Sequence, residues 1–122
     1  MPPNGISTWH RVRHDELWHH YQGGLVELHT ISEHEGYRVH LLGSVSLTDA
    51  DSAVLPCHVV PAGVWQAARA LDAYALFGNT VSPGFEFSDW QLLDVPLRTA
   101  LTAAYPDAAL ALDQLSARQL SR

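Results

Sequence analysis

The chain has 122 residues and a mass of 13.5 kDa, with 47% hydrophobic and 16% charged residues, which suits one folded domain with a single core. A formal net charge of −6 argues against the positive field that nucleic-acid binding needs, and no apolar run reaches the ~20 residues that span a membrane. The N-terminal residues lack the basic and apolar segments of a signal peptide, so we expect a cytoplasmic protein.

Short segments rich in β-branched and aromatic residues, separated by Gly, Pro and Asp turn signals, fill the chain up to Leu93. Strands at this spacing are typical of an all-β barrel or sandwich. The predicted strands are 8–13, 16–22, 25–32, 37–42, 57–61, 65–70, 74–81 and 85–92.

After Leu93 the pattern becomes helical. Asp94 can cap a helix whose second position is Pro96, and Pro106 can begin another. Apolar residues then recur at helical spacing in both segments. We therefore expect one domain over residues 1–122, with a β-barrel in 1–93 and two short α-helices in 94–122.

The opening stretch WHRVRHDELWHHYQGG, residues 9–24, combines four histidines with an acidic pair. If 16–22 is a strand, alternation places Glu16, Trp18 and His20 on one face. A hairpin would bring His10 close to Glu16 or His20. A histidine and a carboxylate that converge in a barrel suit either metal binding or proton transfer.

Other polar residues have a simpler interpretation. His14, His29 and His34 are expected to be surface or hydrogen-bonded residues. Cys57, the only cysteine, lies in the apolar string LPCHVV and is predicted to be a small buried residue and not a nucleophile.

Four segments together resemble the small RmlC-like cupin branch known as domain of unknown function 985. They are WHRVRHDELWHHYQG (9–23), VVPAGVWQAA (59–68), YALFGNTVSPGFEFSDW (74–90) and RTALTAAYPDAA (98–109). The resemblance implies a cupin double-stranded β-helix, or jelly-roll barrel, that forms a homodimer and holds a solvent-entered pocket. Relatives carry a longer N-terminal segment, which is shortened here, so a partner chain would supply the missing strands or the barrel would be more open.

The general cupin motifs match this sequence in part. Glu16 and Gly23 keep the spacing of the first motif, and His10 stands at one of its two histidine positions. Val12 replaces the second of these histidines, and Gln66 replaces the histidine of the second motif. Valine cannot bind a metal and glutamine is a weak neutral ligand, so a complete site of three histidines and one glutamate is excluded.

The motifs predict a pocket with catalytic and substrate-binding residues. The predicted catalytic residues are His10, Glu16 and His20, and the predicted substrate-binding residues are Trp18, Trp65, Gln66, Tyr74 and Glu86. Aromatic walls with a few ionisable groups are typical of sites for small molecules.

The sequence leaves three functions open. The first is metal-independent acid–base chemistry on a small molecule, as in an epimerase, isomerase, dehydratase or cyclase, with no cofactor. The second is a metal-dependent, dioxygenase-like cupin that holds iron, zinc or nickel with His10, Glu16 and His20. The third is a binding module in which Trp18 and Trp65 hold a ligand without changing it.

Overall fold

The computed structural model describes residues 1–43, 54–71, 74–82 and 90–116. Most of these residues lie in nine short strands. The strands are β1 Ile6–Val12, β2 Asp15–Gly23, β3 Val26–Ser32, β4 Gly36–Leu42, β5 Val54–Leu55, β6 Cys57–Val60, β7 Trp65–Ala70, β8 Ala75–Ser82 and β9 Trp90–Leu92. The predicted strands have counterparts among the described residues, although 85–89 of the last one lie outside them and only its end is seen, as β9; β5 was not predicted.

Two short helices follow the strands, as predicted. Helix α1 spans Val95–Ala104, and a single 3-10 turn at Pro106–Ala108 leads into α2 at Ala109–Gln114. The Asp94 carboxylate accepts a hydrogen bond of 2.9 Å from the backbone N–H of Leu97, which fixes where α1 begins. Among the described residues, no helix is long and apolar enough to cross a membrane.

The strands form two sheets that face each other. The first sheet has the order β5-β4-β3-β7-β1-β9, and the second has the order β6-β2-β8. Every pairing is antiparallel except the short parallel contact between β4 and β5. We call the space between the sheets the lumen, and the opposite side of the first sheet its outer face.

Side-chain alternation gives the first sheet two separate cores. On the outer face, Trp9 and Trp65 pack against Leu112 and Leu115 of the helical tail. The Trp9 indole N–H also donates to the Ala111 carbonyl at 2.9 Å, which ties β1 to α2. Burying a leucine side chain such as Leu112 contributes about 1.5–3 kcal/mol, so the tail stabilises the sheet.

The lumen holds the second core. Trp18 from the second sheet packs there with Leu28, Leu42 and Val60, and Phe77 lies against it. The rings of Trp18 and Phe77 stack with their centroids 5.1 Å apart. This apolar cluster holds the two sheets together and leaves a limited number of inner positions for polar side chains.

Gly23 occupies a backbone position that excludes larger residues. Its φ of 98° lies in the left-handed region, and a Cβ there would meet the Tyr74 carbonyl oxygen at 2.1 Å. The glycine of the first cupin motif is therefore a steric requirement where β2 passes into β3.

The prediction for Cys57 is wrong, because its side chain is exposed. Strand β6 alternates, with Val60 buried in the lumen core and Val59 50% exposed. Cys57 shares the outward side with Val59 because the two lie two positions apart on the strand. The apolar neighbours in the sequence gave no indication of this alternation.

Candidate active site

Glu16 and His10 meet inside the lumen, one from each sheet. His10 lies on β1 of the first sheet and Glu16 on β2 of the second, and both side chains are buried. The distance from His10 Nε2 to Glu16 Oε1 is 3.9 Å. This distance is too long for a hydrogen bond, so the two groups face each other but are not bonded to each other.

A chain of side chains holds the Glu16 carboxylate. The Gln66 amide N–H donates to Glu16 Oε1 at 3.1 Å, and the Asn79 amide donates to Oε2. Behind Gln66, the Trp18 indole N–H donates to the amide oxygen at 2.6 Å. Trp18 and Gln66 are fully buried, so they orient the carboxylate from behind and present no free surface to a ligand.

The opposite ring nitrogen fixes the tautomer of His10. His10 Nδ1 lies 2.8 Å from the Thr8 carbonyl oxygen, which can only accept a hydrogen bond. Nδ1 therefore carries the hydrogen in the neutral ring, and Nε2 presents a lone pair towards Glu16. The ring of Trp90 on β9 lies beside His10, with centroids 6.0 Å apart.

His20 also faces inward, but it does not join this pair. Four residues along β2 separate it from Glu16, which is roughly 13 Å at the usual rise of a strand. Its Nε2–H donates to the Gly24 carbonyl at 2.7 Å, and its buried Nδ1 has no hydrogen-bond partner in the described part of the chain. The geometry thus separates His20 from the other two predicted catalytic residues.

The remaining predicted substrate-binding residues lie elsewhere. Trp65 faces the outer side of the first sheet, because its neighbour Gln66 occupies the inward position on β7. Tyr74 precedes β8 and is 55% exposed at the surface. Glu86 lies outside the described residues. The expectation that Trp65 lines the lumen is therefore wrong, because alternation along β7 turns Gln66 inward and Trp65 outward.

Asn79 is a site residue that the sequence analysis missed. It lies on β8 opposite Trp18, where alternation turns it towards Glu16. Asparagine is disfavoured in the middle of a strand, and this was the available signal.

Two further histidines, one from each sheet, stack at the side of the lumen. The rings of His40 on β4 and His58 on β6 stack with centroids 3.9 Å apart, and His40 Nε2 lies 3.0 Å from the Thr30 hydroxyl. Burial, and next the neighbouring His58 imidazole, lower the pKa of His40 to about 4. Burial also lowers the pKa of His58. Both rings are therefore held neutral.

The inner residues do not fit the metal site of a metal-binding cupin. The apolar Val12 side chain is buried, and the Gln66 amide already bonds Trp18 and Glu16. In the described ranges, no group of three His, Cys, Asp or Glu side chains is placed to hold a metal ion. The alternative set of His10, Glu16 and His20 is therefore not assembled, because His20 lies too far along β2.

Comparisons with known proteins agree with this architecture. No curated protein matches the chain. Protein SO0799 from Shewanella oneidensis is 29% identical, with a TM-score of 0.78 over 96% of this chain and 71% of that one. A hypothetical protein from Leishmania major is 23% identical, with a TM-score of 0.76 over 96% of this chain and 72% of that one.

Oxalate decarboxylase from Bacillus subtilis shares the fold at 17% identity, with a TM-score of 0.62 over 98% of this chain and 30% of that one. That decarboxylase has Mn(II) centres. The family described as "Cupin superfamily (DUF985)" matches residues 1–93. The chain therefore belongs to this cupin family, and its fold is the predicted cupin barrel with C-terminal helices.

Proposed function

We propose that the lumen is the active site of a small-molecule enzyme that transfers protons between its substrate and the pair His10 and Glu16, without a metal. The observation that carries the proposal is the 3.9 Å gap between His10 Nε2 and Glu16 Oε1 in a buried setting. His10 Nδ1 and both Glu16 oxygens are bonded to other groups, so the two facing atoms are oriented before a substrate arrives.

The gap suits a substrate that contacts both groups at once. Because the two atoms are only 3.9 Å apart, an oxygen or carbon of a small molecule that lies beside the line joining them can be at hydrogen-bonding distance from both. One group takes a proton from a carbon beside a carbonyl, and the group that has received this proton then returns it to the resulting enolate or to a leaving hydroxyl. Epimerisation, isomerisation, dehydration and cyclisation share this step.

The charges around the pair favour a neutral substrate. The sequence contains no lysine, and Arg11 and Arg69 lie on the outer face of the first sheet. No described arginine bonds Glu16, so a carboxylate substrate would face a negative group without a compensating cation. A neutral polar molecule with a carbonyl and hydroxyl groups avoids this repulsion, whereas a dianion such as oxalate does not.

The binding module is the weaker alternative. It required Trp18 and Trp65 to hold a ligand together, but Trp18 is only 1% exposed and Trp65 faces the other side of the sheet. A module of this kind would bind a ligand in the lumen and leave its protons in place.

Incorporation of deuterium from D2O tests the proposal without knowledge of the product. A panel of neutral hydroxycarbonyl compounds and matched carboxylates is incubated with the protein in D2O, and mass spectrometry detects exchanged C–H positions. We expect exchange in one or more neutral compounds and its loss in His10→Gln. Binding of a neutral compound without exchange would refute the enzyme and support the module.

A further inference from the structure

A cavity of about 570 Å³ lies on the outer face of the first sheet, separate from the lumen. Arg11 and Trp65 form its floor, Leu101 and Ala104 of α1 form one wall, and the turns around Ser32 and Gly63 form its rim. Its volume lies in the range of small-molecule sites. Neither His10 nor Glu16 lines it, because both side chains point into the lumen, which lies on the other side of the first sheet.

Two contacts hold the Arg11 guanidinium in place. Its central carbon lies 4.5 Å from the centroid of the Trp65 ring, and its Nε–H donates to the Gln91 side-chain oxygen at 2.9 Å. Within the described ranges, no protein group accepts a hydrogen bond from either of its Nη atoms. The guanidinium is thus oriented in advance, with its outer N–H groups available to a ligand.

The chemistry of the lining indicates the class of ligand. A guanidinium with free N–H groups matches a carboxylate, which it can bind with two parallel hydrogen bonds. The Trp65, Leu101 and Ala104 side chains provide an apolar surface beside it. Glu33, exposed at the rim, opposes a second negative charge. We propose that this cavity binds a small monocarboxylate with an apolar, aromatic or branched body.

The proposal does not depend on the function of the lumen. A carboxylate that the charge of Glu16 disfavours inside the lumen is accommodated on the outer face, where the Arg11 guanidinium lines the cavity. The lumen and this outer cavity therefore select ligands of different charge, which allows one experiment to separate them.

Isothermal titration calorimetry with phenylacetate tests the site, and phenylacetamide is the neutral control of the same shape. We expect phenylacetate to bind at least about tenfold more tightly than the amide, as one charge-assisted contact implies. Arg11→Gln should lose this difference. Ala104→Phe should abolish binding by filling the cavity while leaving Arg11 in place, so it tests the site even if Arg11→Gln fails to fold.

Two further variants distinguish this site from other positions. Glu16→Gln, in the lumen, and Arg98→Gln, on α1 but outside the lining, should bind phenylacetate as the unmodified protein does. Equal binding of the acid and the amide would overturn the proposal. Undiminished binding by Ala104→Phe, or binding lost in Glu16→Gln, would overturn it as well.

Discussion

Two glutamate–histidine pairs in this protein differ in whether the two side chains are hydrogen-bonded to each other. In the inner pair, His10 and Glu16 stand 3.9 Å apart in the lumen. In the outer pair, His29 Nε2–H donates directly to Glu27 at 2.7 Å. The same two residue types therefore produce an open arrangement in one place and a bonded one in the other.

The outer pair is closed at both ends. Tyr37 O–H donates to His29 Nδ1 at 2.7 Å, and Arg69 donates to Glu27 at 2.9 Å. Burial lowers the pKa of His29, although the Glu27 hydrogen bond opposes this shift. Because every facing atom already has a partner, the network stabilises the sheet and offers no site to a substrate. In the inner pair the two facing atoms are not bonded to each other: Glu16 Oε1 accepts a hydrogen bond from Gln66, and His10 Nε2 stays available to a substrate.

The two pairs should differ most in how a substitution changes the rate of deuterium exchange. Glu16→Gln should reduce deuterium exchange by about 10²–10⁴-fold, the usual contribution of one acid or base. Glu27→Gln makes the same chemical change on the outer face and should leave the exchange rate nearly unchanged. The comparison fails if both variants lose activity equally while both remain folded.

A substitution in the outer pair should lower the stability of the protein. Glu27→Gln replaces charge-assisted hydrogen bonds from Arg69 and His29 with neutral ones, and we expect a loss of about 1–2 kcal/mol in the free energy of unfolding. Urea denaturation monitored by tryptophan fluorescence measures it. A variant as stable as the unmodified protein would show that the closed network has no structural role.

A third histidine site makes stability depend on pH. The pKa of His40 is lowered from 6.5 to about 4 in the folded protein, so the folded state binds this proton less readily than the unfolded state. The corresponding stability is present above pH 6.5 and is lost as the pH falls towards 4. Because the ring is half-buried and screened by solvent, we expect about 1–2 kcal/mol.

Denaturation at several pH values with His40→Gln tests this window. The variant should flatten the dependence of stability on pH, whereas His34→Gln, at an exposed position, should keep it. An unchanged slope in His40→Gln would assign the dependence to other groups.

The smallest effect concerns the phenol that closes the outer pair. Tyr37→Phe removes the hydrogen bond to His29 and should cost about 0.5–1.5 kcal/mol of stability. Deuterium exchange by this variant should equal that of the unmodified protein. Reduced exchange in a folded Tyr37→Phe would connect the outer network to the chemistry and contradict the contrast between the pairs.

Local patterns were sufficient to predict most of the fold. Alternation and turn residues located the strands, and Asp94 with Pro96 located the start of α1. Strand β5 was missed because two residues in a parallel contact leave no periodic signal. The side on which Trp65 and Cys57 lie was also missed, because a strand's inward face depends on its register with distant strands.

The candidate site was predicted in part. The alternation of Glu16, Trp18 and His20 on one face agrees with the structure. His10 also approaches Glu16, but it does so across two facing sheets and not through the expected hairpin, because β1 and β2 do not pair. The sequence could not show whether His10 approaches Glu16 or His20, since this depends on how the two sheets are offset. The role of Asn79 likewise depends on the pairing of β8 with β2, which no local pattern specifies.

The homodimer stays a prediction. Tyr21, Val59 and Leu76 are 42–62% exposed and lie on the strands of the second sheet. Light scattering at micromolar concentration should report twice the mass of the chain, and a clean monomer would reject the prediction.

Deuterium exchange after removal of metal tests whether His10 and Glu16 transfer protons without a metal. The protein is treated with a chelator, and its exchange rate with the best neutral compound is measured before and after addition of Mn²⁺, Fe²⁺, Zn²⁺ or Ni²⁺. Proton transfer by His10 and Glu16 predicts the same rate in every sample. Exchange that disappears with the chelator and returns with one of these ions would contradict the account.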